Sequence, residues 1–101
     1  MITAVLLEDG DQLRLAVDGH AGAGPEGHDL VCAAVSTITT ALANLVADGG
    51  ETALDKGHAR ISAAVTDRNK ALFAFADEAL ALLAETAPDN ITYRCPGPIR
   101  L

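Results

Sequence analysis

Hydrophobic and polar positions change period several times along the chain, and each change marks an element. Residues 2–7 and 12–19 read as two strands joined by the turn Asp9-Gly10-Asp11. In the second, Leu13, Leu15 and Val17 alternate with Arg14, Ala16 and Asp18, the period of a strand with one buried face. Residues 19–27 hold four glycines and one proline, a composition that opposes helix and strand alike, so this stretch is predicted as a loop. From Asp29 the period becomes helical. Asp29 is a suitable N-cap, because its carboxylate can accept from backbone N–H groups two and three residues on. Val31, Val35, Ile38, Leu42 and Leu45 then form one apolar stripe, and Asp48-Gly49-Gly50 should stop the helix near Ala47.

Beyond the glycines, residues 51–57 have mixed polarity and read as a linker, and residues 58–65 as a third strand. Asn69 or Asp67 is expected to cap a second helix whose apolar face is Leu72, Phe73, Ala76, Leu80 and Leu83. Pro88-Asp89-Asn90 ends it. Residues 91–95 make a short last strand, closed by Pro96 and Pro98. The order ββαβαβ predicts an α/β fold: a single two-layer domain over residues 1–101, its sheet mostly antiparallel or mixed, with two helices on one face.

A chain of 101 residues fits one domain, and with half of them hydrophobic it can build a core. With no Trp, one Tyr and two Phe, that core must come from Ala, Val, Leu and Ile. Such small side chains predict modest stability or help from a partner subunit. The net charge of −7, from fourteen acidic and seven basic residues, comes without any Lys/Arg cluster and excludes nucleic acid as the expected ligand. An acidic surface suits a basic protein partner, although it also serves solubility alone. The N-terminus lacks a basic leader and no apolar run approaches the roughly twenty residues of a membrane helix, so no membrane is expected. Two cysteines far apart in sequence read as free thiols in a reducing cytoplasm.

Candidate chemistry is concentrated in Asp18-Gly19-His20 and in Gly27-His28-Asp29-Leu30-Val31-Cys32-Ala33-Ala34-Val35-Ser36. These residues put a histidine at a strand end and a cysteine in the first turn of a helix, where the dipole and unpaired N–H groups favour a thiolate. An imidazole within reach would complete an ion pair and later protonate a leaving amine, and the N–H groups near Cys32 and Ala33 could hold an oxyanion. Spacing alone leaves the alternative open that Cys32 is a small core residue of an alanine-rich helix.

The same two segments resemble the signature of the ribosomal-processing cysteine protease family, and the order and length of the whole chain agree with it. The resemblance implies removal of a short N-terminal extension from large-subunit ribosomal protein twenty-seven, the host copy of which would be the partner. It places the nucleophile on Cys32 and the general base on His20, with Asp29 and Ser36 as supporting positions on the same helix face. It also implies a homodimer, and a lid containing Gly22, Gly24 and Gly27 that orders over a bound peptide. Neither cofactor nor metal is expected: the glycines lack a phosphate-binding ending, and His20, His28 and Cys32 have no paired Cys-x-x-Cys. His58 reads as a surface residue and Cys95 as an incidental thiol. The alternative function is a non-catalytic, ribosome-associated binding module of the same fold.

Overall fold

A computed structural model describes residues 1–20, 29–46, 50–55 and 57–99. The elements follow in the order β1 (Ile2–Asp9), β2 (Gln12–Asp18), α1 (Leu30–Leu45), β3 (Glu51–Asp55), β4 (His58–Ala64), α2 (Asp67–Thr86) and β5 (Ile91–Arg94). The strands make one mixed sheet in the order β3-β4-β2-β1-β5. Only β1 and β5 run parallel; the other neighbours are antiparallel.

Register decides which face is buried. Ala4, Val17 and Ala59 stand in one row across β1, β2 and β4, and Leu6, Leu15 and Ile61 in the next. All six are buried, and Phe73, Ala76 and Leu80 of α2 with Val35 and Leu42 of α1 complete the same core. Both helices therefore pack on one face, as expected. On the other face, which no described element covers, Thr3, Arg14 and Arg60 are exposed and Val5 and Ala16 half-buried.

The fold class agrees with the sequence pattern, and the structure adds a fifth strand inside the expected linker. All five residues of β3 are exposed, so an edge strand beyond the helix layer leaves no alternation to read. Its two-residue connection to β4 pairs Asp55 with His58 across Gly57, whose φ of 79° lies in the left-handed region.

Helix boundaries moved in two places. Helix α1 ends at Leu45, where Val46 is extended and its N–H donates to Leu42 O; residues 47–49 lie outside the described ones. Of the expected stripe, Val35 and Leu42 are buried, while Leu45 is 47 % exposed and Thr39 takes a core position instead. Helix α2 is capped by neither Asn69 nor Asp67. Thr66 is the N-cap, accepting from Asn69 N through its hydroxyl at 3.0 Å. Asn69 lies inside the first turn, buried, with its amide donating to Ala64 O. Its side chain thus ties the helix to the end of β4 and cannot cap.

Among the described residues Phe73 is the largest fully buried side chain, in a core otherwise made mainly of aliphatic residues. Phe73→Ala is expected to cost about 3–5 kcal/mol, a large share of the stability of a small domain. Urea denaturation should show this as a lower midpoint with an unchanged slope.

Candidate active site

Helix α1 begins where the sequence pattern placed it. Asp29 is extended (φ −85°, ψ 105°), and its carboxylate accepts from the Cys32 N–H at 3.0 Å. Asp29 therefore has the capping role expected of it, and the bond holds Cys32 in the third helical position. The cysteine is half-buried, packed against the edge of the core beside Val31. Leu30, next to it in the first turn, is 82 % exposed. Ser36 lies one turn further on and is exposed.

The amides expected to cradle an oxyanion are already engaged. The Cys32 N–H is held by the Asp29 side chain, and the Ala33 N–H donates to Asp29 O at 3.0 Å. A cap that stabilises the helix thereby takes up the donors that its first turn would otherwise offer.

His20 is separated from the end of β2 by one residue, Gly19, and is exposed. Its backbone is pinned from two sides: the Met1 nitrogen donates to His20 O at 2.5 Å, and Gly19 N donates to Gly57 O at 2.9 Å. The imidazole lies against Gly57 in the β3–β4 turn. Gly22, Gly24, Gly27 and His28 fall among residues 21–28, which lie outside the described ones.

Beside His20 the sequence pattern had missed a small ionic network. Asp18 accepts from His58 Nδ1 at 2.8 Å and from the Arg60 guanidinium at 3.0 Å. The same guanidinium donates to Val17 O and Ala59 O. These partners are about forty residues apart in sequence and meet only through β2–β4 pairing, so spacing carries no trace of them. His58 is a surface residue, as expected, but an anchored one. The Arg60 and then the His58 hydrogen bonds hold the Asp18 carboxyl below its ordinary value of 3.8.

The second thiol lies in a different setting. Cys95 follows β5, half-buried, with its Sγ donating to Gly97 O at 3.4 Å. Burial, and then the nearby Asp77 carboxylate, push this thiol up. The same two causes raise Tyr93, whose hydroxyl donates to Asp77. Both causes disfavour the Cys95 thiolate. A hollow of about 850 Å³ lies on the uncovered sheet face, between Val5, Leu7, Arg14 and Ser62, and neither Cys32 nor His20 lines it.

A family model described as cysteine protease Prp matches residues 1–92. Among solved structures, the chain is similar to the essential ribosomal processing protease Prp from S. aureus, bound to a covalently linked product peptide. That match has 26 % identity, a TM-score of 0.80, and covers 94 % of this chain and 99 % of the other. The same S. aureus protein with a substrate peptide matches at 25 % identity and a TM-score of 0.74, over 94 % and 99 % of the two chains. SMU.848 from Streptococcus mutans matches at 26 % identity and a TM-score of 0.72, over 97 % and 96 %. No curated protein sequence matches the chain.

Because the folded-state pKa of Asp18 is depressed, its stabilising effect is present above the ordinary carboxylate pKa and is lost as pH falls through the folded value. Asp18→Asn should therefore melt below the parent at neutral pH. The gap between the two melting temperatures should close as pH drops below 3.8, which thermal melts across pH would reveal.

Proposed function

The chain belongs to the cysteine protease Prp family, and on that premise we propose that it is an endopeptidase that removes a short N-terminal extension from a large-subunit ribosomal protein. Cys32 is the nucleophile and His20 the general base and acid. The observation that carries this reading is the position of Cys32 in the first turn of a capped helix, at the positive end of its dipole.

The chemistry runs in two halves. His20 takes the Cys32 proton, and the thiolate attacks the scissile carbonyl carbon to form a C–S bond and a tetrahedral oxyanion. The oxyanion collapses, the C–N bond breaks, and the imidazolium gives its proton to the leaving amine. A water, deprotonated by His20, then attacks the thioester. The C–S bond breaks, and the peptide leaves as a carboxylate while the thiol is restored. A covalently linked product peptide in the S. aureus protein is consistent with such a covalent stage.

Asp29 takes the Cys32 N–H for the cap, so fewer first-turn donors remain beside the thiol. Placement of His20 therefore matters more here than in a helix with free first-turn donors. Asp29 acts by fixing the helix start under Cys32, and Ser36 supports the same face from the next turn. A ribosomal substrate would put the enzyme in the cytoplasm, and the family resemblance supports a homodimer.

The test is incubation of the purified protein with full-length ribosomal protein twenty-seven from the same host, read by intact mass. One defined cut near the substrate's N-terminus is expected, absent with Cys32→Ser and lowered at least about a hundredfold with His20→Ala. Absence of any cut, with a reactive Cys32, would discard the substrate; an unreactive Cys32 would favour a binding module. Sedimentation equilibrium should give about twice the chain mass of 10.4 kDa.

A further inference from the structure

Gly57 is distinguished among the described glycines by what its missing side chain would touch. A Cβ added at Gly19 would meet Met1 O at 2.3 Å, and one at Gly50 would meet Ser62 O at 2.2 Å, both backbone atoms. A Cβ added at Gly57 would instead lie 2.9 Å from His20 Nε2, 3.3 Å from Cε1 and 3.6 Å from Cδ2. Its three nearest neighbours all belong to one imidazole ring.

The two backbones cannot separate to make room. Gly19 N donates to Gly57 O at 2.9 Å, and Asp18 is paired with His58 both in the strand register and through its side chain. The His20 ring is exposed, so it is the part that would move. A side chain at position 57 therefore displaces the imidazole while leaving strand pairing intact.

We propose that Gly57 is a positioning residue for His20, the floor of bare backbone on which the imidazole rests in the orientation used toward Cys32. This inference rests on the reading of His20 as the base. The β3–β4 turn, remote in sequence from both members of the dyad, thereby takes part in placing the proton acceptor. The turn also needs a left-handed residue, with φ at 79°, so conformation and space must be tested apart.

Two substitutions and one control separate them. Gly57→Ala brings both backbone strain and a Cβ, whereas Gly57→Asn brings the Cβ with a residue that tolerates the left-handed region. Gly10→Ala, at φ 63° with nothing within 4 Å of an added Cβ, brings the strain alone. The readout is the rate of Cys32 alkylation by iodoacetamide at pH 6, with Cys95→Ala as the common background and His20→Ala as reference. An unpaired thiol with an ordinary pKa of about 8.5 is almost wholly protonated there, so loss of the imidazole partner slows the reaction. Mere loosening of the fold would speed it.

We expect His20→Ala and both Gly57 variants to be at least about tenfold slower than the parent, with Gly10→Ala within about twofold of it. A slow His20→Ala beside Gly57 variants at the parental rate overturns the positioning role and leaves the dyad standing. A parental rate in Gly57→Asn alone reduces Gly57 to a conformational residue and also overturns it. A parental rate in His20→Ala overturns the dyad, and this inference with it. Should the Gly57 variants fail to fold, nuclear Overhauser contacts between the Gly57 α-protons and the His20 ring in the parent protein decide: their presence is expected, and their absence overturns the proposal.

Discussion

Pairing of β2 with β4 is the contact on which the rest of the structure depends. It joins residues 12–18 to residues 58–64 across sequence separations of 40 to 52, in a register that sets Asp18 opposite His58 and Leu15 opposite Ile61. A slip of one residue would send Ala59, Ile61 and Ala63 to the uncovered face and strip the core of a strand. The same register brings the β3–β4 turn beneath the end of β2, where Gly19 donates to Gly57 O. Core and site are thus set by one ladder.

The site is assembled from two kinds of order. On the helix side everything is local: Asp29, three residues before Cys32, fixes the helix start and the cysteine in one hydrogen bond. On the histidine side everything is long-range. The Met1 nitrogen from the chain's start, and the Gly57 carbonyl with His58 and Arg60 from the β3–β4 turn and β4, reach the end of β2 from two separate parts of the chain. A rigid nucleophile set by local structure and a base set by sheet topology fits the proposed division of labour.

The two cysteines illustrate how environment, and not residue type, decides thiol chemistry. Cys32 lies at a helix N-terminus at the edge of the core, while Cys95 is half-buried beside Asp77 and Tyr93. Burial and a neighbouring carboxylate both disfavour a thiolate at Cys95. Both thiols are half-buried with a carboxylate near, Asp29 at Cys32 and Asp77 at Cys95, so it is the helix N-terminus that sets Cys32 apart.

By itself the sequence determined what depends on near neighbours. The alternation in β2, the Asp29 cap and the apolar face of α2 were all legible, because strand period, helix period and capping act within a few residues. The spacing around Cys32 and His20 left a core cysteine open as an alternative, and only the family resemblance singled the pair out. Tertiary structure decided the rest. Strand β3 is exposed along its whole length and carries no period; Thr66 displaced Asn69 as cap because Asn69 is drawn inward to Ala64. The ionic network at Asp18 and the bare floor at Gly57 exist only because β2 and β4 pair. Contacts made across forty residues are set by sheet register, and register is a property of the packed core that no short stretch of sequence contains.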